Sequence, residues 1–488
     1  MCYALENLKP KGFFKWFEEI TRIPHGSGHE EKMAAFLENF AAERGLLCLR
    51  DKMNNILIRV PAAAGYEKEP SVLLQGHMDM VWAKDDTATV DLETDPLELC
   101  VKGNELKAKG TTLGADDGVA IATMLAIADD DTVAHPALEL FCTVDEETGL
   151  IGMRNADLSV IQSRRMINLD AGSSHEICVS AVGAKMVVFE KQFDHCAQEG
   201  LASLYLNLYG GLGGHAGILA HKNRACCINI MGELLFMLGR KMPVYLAQIV
   251  AEGPSIHGSC QAFISVPAAC AREAEILLQE QFRDISGRYQ KTDPDLVLSV
   301  SACEEEKAIL SAEDSANIIR AMFLLHTGVR RSDADDLSII VTSITFSKIS
   351  LRNGLFSGAY SIRSLDDSVR DMWHCRTEEL LGILGFRVTV QHEFTSWPGS
   401  DKVVMQERFA QEHRRLFGGD IKILHLHASI EVNILMGQIP DMDAVGIQPT
   451  AVDFHTPDET LFIDQVQPFW DLLLAVLARK DELPSDLH

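Results

Sequence analysis

Three short apolar runs in the first part of the chain stop abruptly on acid or histidine, and a fourth acidic pair opens a helix. Val72–Gly76 leads into His77-Met78-Asp79, Leu138–Val144 into Asp145-Glu146-Glu147, and Ile167–Leu169 into Asp170. Gly114-Ala115 leads into Asp116-Asp117 ahead of the apolar face Val119, Ala122, Met124, Leu125 and Ala128. Runs this short and largely apolar suit strands buried on both faces of a sheet. With Ile56–Val60 they alternate with helical segments, which predicts an α/β fold with a largely parallel, doubly covered sheet. Ligand sites in such sheets form beyond the carboxyl ends of the strands, so the four polar turns are expected to converge.

The opening residues read as two helices. Phe13, Trp16, Ile20 and Ile23 recur at helical spacing until Pro24. Ser27 and Glu30 have capping-box spacing before Met33, Leu37 and Phe40, and Gly45 stands at a C-cap position. From about residue 184 the texture changes. Strand candidates near 204–209, 262–266, 296–300, 339–346, 359–362 and 387–391 enclose helix candidates at 225–238, 271–282, 316–326 and 368–384. Asn353-Gly354 suits a tight turn. This rhythm runs through twice, hinting at a duplicated α+β unit without a detectable sequence repeat. The first texture returns near Lys422–Leu426. The expected architecture is therefore a discontinuous α/β domain, residues 1–183 and 397–488, interrupted by a large inserted α+β domain, residues 184–396.

Charge excludes some partners. The chain carries 70 acidic against 44 basic residues, a formal charge of −26. Such a surface repels phosphate backbones and anionic lipid but concentrates cations. The opening residues lack a basic stretch followed by an apolar one, so a secretory signal is not expected, and no apolar run approaches the length of a membrane span. The 12 cysteines are scattered without a Cys-x-x-Cys, as expected of reduced thiols in a cytoplasmic protein.

His77-Met78-Asp79 allows a carboxylate to orient an imidazole whose other nitrogen binds metal. Adjacent Glu146 and Glu147 allow one carboxylate to bind metal while the other moves a proton. Each element also has a plainer reading: Asp116 as a helix cap, the His-x-Asp as a structural pair, the glutamates as solvated charge. Taken residue by residue, a metal centre and a set of caps and surface charges both remain open.

The motifs in combination go further. Gln75-Gly76-His77-Met78-Asp79-Met80-Val81, Gly110–Gly118, Asp145–Gly149, Leu169-Asp170 and His455-Thr456-Pro457-Asp458-Glu459 resemble the M20 metallopeptidases, in their aminoacyl-histidine dipeptidase branch. The resemblance spans essentially the whole chain. It implies a site for two divalent ions, usually zinc, with manganese or cobalt as substitutes, hydrolysing dipeptides. Asp116 would bridge the ions ahead of a cis peptide to Asp117. His77 and Asp170 would complete one ion, and Glu147 and His455 the other. Asp79 would orient His77, and Glu146 would be the general base. The inserted domain resembles the family's lid. There His215, in Gly213-Gly214-His215-Ala216-Gly217, would reach the scissile carbonyl, and Arg363 would bind the substrate carboxylate. Members of this branch often pair, which implies a homodimer.

Several lid positions depart from the pattern: Ala216 for serine, Cys226-Cys227 after Arg224-Ala225, Ile264–Pro267, and Ser429 for glycine within His427–Asn433. These bear on specificity more than on hydrolysis. The cluster Gly210–Gly214 lacks the third glycine of a dinucleotide fingerprint, and no Walker-type loop is present, so nucleotide binding is not expected. Two other functions stay in view: an amidohydrolase of N-acyl amino acids, and a degenerate relative that binds metal or peptide without turnover.

Overall fold

A computed structural model of the protein describes residues 5–251, 256–304, 308–399, 402–439 and 441–481. Much of the charged tail at 479–488, expected to be frayed, lies outside the described residues. The chain divides into two units: Met1–Ala181 with Trp397–Leu426 and Ile430–His488, and Val182–Ser396 with His427–Ser429.

The first unit is built on an eight-stranded sheet. Its order is Leu47–Arg50, Ile56–Val60, Leu138–Thr143, Val72–His77, Arg165–Asn168, Asp443–Gly446, Glu176–Ala181 and Lys422–Leu426. The strands from Leu138–Thr143 through Asp443–Gly446 run parallel, as does the terminal pair. The runs are largely apolar because alternate side chains enter different cores. Val72, Leu74, Leu138, Leu140 and Ile167 join one cluster with the helices Lys11–Ile20, Glu31–Glu43, Ala115–Ala128 and Ile463–Leu477. Leu73, Phe141 and Met166 enter a second cluster with Met153, Leu158, Val432 and Leu435.

Two local expectations are corrected. No capping box forms at Ser27 and Glu30: the helix Glu31–Glu43 begins without a side-chain cap. Each side chain instead takes a partner distant in sequence, Asp79 for Ser27 and the Asp145 backbone for Glu30. The Ser27 hydroxyl donates to Asp79 at 2.8 Å, and Glu30 accepts from the backbone N–H of Gly28 and Asp145 at 2.9 and 3.0 Å. Asp116 is not a helix cap either. It and Asp117 have non-helical φ/ψ inside Ala115–Ala128, and Asp117 accepts from the Ala120 N–H at 3.3 Å. The peptide between the two aspartates is cis.

The second unit holds a nine-stranded antiparallel sheet whose topology repeats. In the first half, Leu201–Tyr209, helix Cys227–Gly239, Tyr245–Ala251, Cys260–Pro267, helix Ala271–Tyr289 and Val297–Ala302 follow in a βαββαβ sequence. In the second, Gly183–Gln192, helix Ala312–Leu324, Ile340–Arg352, Leu355–Ser364, helix Asp367–Ile383 and Arg387–Phe394 follow likewise. Numbered by their place in each half, the strands take the same spatial order, 4-1-3-2, and the halves join where Tyr245–Ala251 pairs with Ile340–Arg352. The repeat hinted at by the sequence is thus a topological one, with the first half inserted after the first strand of the second. Asn353 and Gly354 both have positive φ, 51° and 75°, and make the expected two-residue turn.

Among the described cysteines none forms a disulfide; five are buried, five half-buried and Cys375 is exposed. No helix of the described residues is long and apolar enough to cross a membrane.

Gly76 shows how tightly the sheet meets the first aspartates. A Cβ there would lie 2.3 Å from Asp117 Oδ2 and 2.4 Å from the Ala120 Cβ. Gly76→Ala is expected to cost about 1–3 kcal/mol, the usual penalty for overpacking, read as a lowered urea midpoint with an unchanged slope.

Candidate metal centre

The carboxyl ends of three neighbouring parallel strands bring the polar turns together. His77 ends its strand, Glu146 and Glu147 follow Leu138–Thr143, and Asp170 follows Arg165–Asn168. His455 arrives from the loop between Ala451–Val452 and Thr460–Phe462, with a left-handed φ of 63°.

Asp116 stands between two imidazoles. Its Oδ1 lies 3.0 Å from His77 Nε2 and its Oδ2 lies 3.3 Å from His455 Nε2. His77 Nε2 is also 4.0 Å from Asp170, and His455 Nε2 is 2.7 Å from Glu147 Oε1. Ligand-type atoms of His77, Asp116 and Asp170 lie within 4.8 Å of one another, as do those of Asp116, Glu147 and His455. Those of His77, Glu146 and Glu147 form a third such group.

Asp79 organises this cluster from below. His77 Nδ1 donates to the Asp79 carbonyl at 2.9 Å, with Asp79 Oδ1 at 3.3 Å, which ties Nδ1 to Asp79 and turns Nε2 toward Asp116. The same carboxylate accepts the N–H of Glu146 at 3.0 Å and of Glu147 at 3.3 Å. It therefore positions both glutamates as well as the histidine.

A further layer escaped the sequence reading. Asn168 Nδ2 donates to Gln75 Oε1 at 2.8 Å, and Asn168 Oδ1 accepts the Asp170 N–H at 3.3 Å. Gln75 Nε2 donates to the fully buried Glu431. The available signal was an amide side chain inside each of two otherwise apolar strands, since buried amides need partners.

The electrostatics describe a site short of positive charge. Burial pushes Glu146 well above the usual carboxylate range, and Asp170 and Glu147 add to the rise. Burial and Asp116 do the same to Asp170. Burial opposes protonation of His77, but its bonds to Asp116 and Asp79 outweigh that and raise it well above an ordinary histidine. Asp116 and Glu147 push His455 up to about 10. In this state protons hold the anions together. Glu147 Oε1 is buried, and its neighbour in that state is His455 Nε2 at 2.7 Å. Carboxylate oxygens and imidazole nitrogens grouped within 4.8 Å of one another fit a divalent cation of zinc or manganese type.

His215 and Arg363 belong to the second unit. His215 Nδ1 accepts the N–H of Gly217 and of Ile218 at 3.2 and 3.1 Å, so its proton sits on Nε2. Arg363 lies on the strand Leu355–Ser364; burial lowers it to about 10, and its buried Nε has no hydrogen-bond partner among the described residues. Beside it, burial and the Arg363 charge lower His427 to about 4. The neutral His427 ring donates from Nδ1 to the Ile340 carbonyl at 3.0 Å and accepts the Ser343 hydroxyl at 2.7 Å.

The chain is 29% identical to the cytosol non-specific dipeptidase of Escherichia coli over 487 residues, 99% of each protein. Its fold matches the crystal structure of the aminoacylhistidine dipeptidase of Vibrio alginolyticus with a TM-score of 0.86 and 26% identity, covering 99% of both chains. It also matches the fold of an M20 family metallo-carboxypeptidase from Sulfolobus solfataricus, with a TM-score of 0.52 and 11% identity over 96% of this chain and 98% of that one. No family model matches the chain. Over its full length the chain is therefore similar to these dipeptidases, and it shares the fold of the M20 peptidases.

Three of the departures noted in the inserted unit have structural explanations. The Ser429 hydroxyl donates to the Val182 carbonyl at 2.8 Å and is thereby tied to the backbone. Cys226 and Cys227 are buried in the unit's core, and Ser265 exchanges a 2.8 Å hydrogen bond with Ser203 across paired strands. Asp79→Asn removes the charge that holds His77 and both glutamate N–H groups. It is expected to weaken zinc binding about 10–100-fold, measured by competition with a chromophoric chelator.

Proposed function

We propose that the protein is a cytoplasmic dipeptidase that hydrolyses the amide bond of dipeptides with a pair of divalent ions. The observation that carries this reading is Asp116, whose two oxygens face two imidazoles that each have a further carboxylate within reach. His77, Asp116 and Asp170 would hold one ion, and Asp116, Glu147 and His455 the other; zinc is the metal proposed. When bound, the ions supply Lewis-acid polarisation of the scissile carbonyl and lower the pKa of water.

The chain's own residues supply the proton transfers and the grip on substrate. Glu146, held at its backbone by Asp79, takes the proton of the attacking water and returns it to the leaving amine. Burial holds the Glu146 carboxyl well above the usual carboxylate range, which favours its carrying a proton between water and amine. His215 presents an N–H, the donor needed where negative charge develops on the carbonyl oxygen. Arg363, buried and with an unmatched Nε, offers a fork for a terminal carboxylate. The E. coli relative is named for non-specific dipeptide cleavage. With substrate positions of the inserted unit altered, broad dipeptides are the substrates proposed here, and a homodimer the assembly.

The metal-free protein is expected to take up two zinc ions per chain, and Glu146→Gln to keep both while kcat falls about 10²–10⁴-fold, the usual contribution of a general base. Metal analysis and steady-state rates on dipeptide and N-acyl amino acid panels check both the base and the substrate class. Arg363→Ala is expected to raise KM for dipeptides with a free carboxylate. Amidating that carboxylate should reproduce the effect and add nothing to the variant; independent, additive losses would remove Arg363 from the substrate.

A further inference from the structure

The motif that carries His455 ends on a second charged residue, Glu459, for which the chemistry above has no use. Glu459 is 2% exposed, and none of its hydrogen bonds among the described residues is to a cation. Its Oε2 accepts the N–H of Leu113 at 2.8 Å and of Gly114 at 3.0 Å, and its Oε1 accepts the N–H of Asp116 at 3.1 Å. A buried carboxylate is costly unless its lone pairs are filled, and three converging backbone N–H groups fill them. The turn that offers them depends on Gly114, which has a φ of 70° and whose Cβ would lie 2.8 Å from Met80 Sδ. Glu459 thus joins two segments more than 340 residues apart, the turn leading into Asp116 and the loop bearing His455.

The two imidazoles facing Asp116 are not anchored alike. His77 belongs to a central strand, and its N–H also donates to Asp117 Oδ2 at 3.1 Å, so the Asp116–Asp117 segment is registered to it independently. His455 sits half-exposed on a loop whose other hydrogen bonds, among the described residues, are internal. Thr456 donates to the Asp453 carbonyl, and Asp458 and Glu459 donate to Thr456. We infer that Glu459 is a positioning residue that registers His455 against Asp116 and so governs the ion position formed by Asp116, Glu147 and His455. The inference rests on the two-ion reading proposed above.

The test is to titrate metal-free wild type, Glu459→Gln, His455→Ala and the double variant with zinc by calorimetry, alongside thermal unfolding of each metal-free protein. A glutamine keeps the shape but turns an amide N–H₂ against one of the backbone donors. Glu459→Gln is expected to bind one ion as wild type does and the other about 10–100-fold more weakly, the range for groups supporting a ligand. Its metal-free melting temperature should stay close to wild type, and its activity should return as zinc is raised. His455→Ala should give the same one-site pattern, and the double variant should add nothing to it. Two ions bound by Glu459→Gln with wild-type affinity would overturn the inference. So would equal weakening of both ions, or a large loss of metal-free stability, which would mark Glu459 as a residue of the fold alone. A wild type that takes up fewer than two ions would instead overturn the two-ion reading, whatever the variants do.

Discussion

Everything in the first unit is arranged around the demand that Asp116 meet two imidazoles, one on each oxygen. They come from positions 39 and 339 residues away, and no local structure could bring them together. Meeting that demand requires a central strand packed so closely on the opening of a helix that only glycine fits at residue 76. It also requires a backbone that leaves helical geometry at both aspartates. The largely apolar runs serve this arrangement. They bury both faces of the parallel strands and make their carboxyl ends a rigid platform on which small displacements are resisted by dense packing.

Gathering acidic groups in a buried crevice opposes the burial that builds the sheet. Hydrogen bonds offset part of that cost, and they are distributed with some regularity. Asp79 accepts from Ser27, Glu146 and Glu147, Glu30 from Gly28 and Asp145, and Glu459 from Leu113, Gly114 and Asp116. Each of these carboxylates anchors the backbone of a site segment while leaving other carboxylates free to face the crevice. What remains uncompensated is negative charge, which divalent cations satisfy better than shared protons. A net charge of −26 raises the local cation concentration in the same sense.

The inserted unit solves a different problem. Two βαββαβ halves of the same strand order, fused across one antiparallel pair, give a single sheet large enough to hold polar side chains rigidly within it. Arg363 is such a side chain, and the neutral His427 is bonded to the same sheet through the Ser343 hydroxyl and the Ile340 carbonyl. His215 stands on a glycine-rich loop instead, where two backbone donors settle which ring nitrogen bears its proton.

Much of this was legible in the residues. Apolar runs of strand length ending in acid and histidine announced the sheet and the edge that carries the site, because burial on two faces leaves an unmistakable run and an abrupt stop. The family motifs supplied the candidate ligands. Other parts were not legible. Ser27 and Glu30 have the spacing of a capping box, yet long-range partners outcompete the local cap by 3.0 Å bonds or shorter. The roles of Gln75, Asn168, Glu431 and Glu459 depend on which strands and turns become neighbours, and spacing along the chain carries no record of that. By itself, the sequence determined the alternation of strands and helices and the inventory of ligand-type residues, since both follow from local polarity. Only the tertiary structure decided which oxygen faces which nitrogen, because those contacts join segments whose proximity exists only once the sheet has closed its cores.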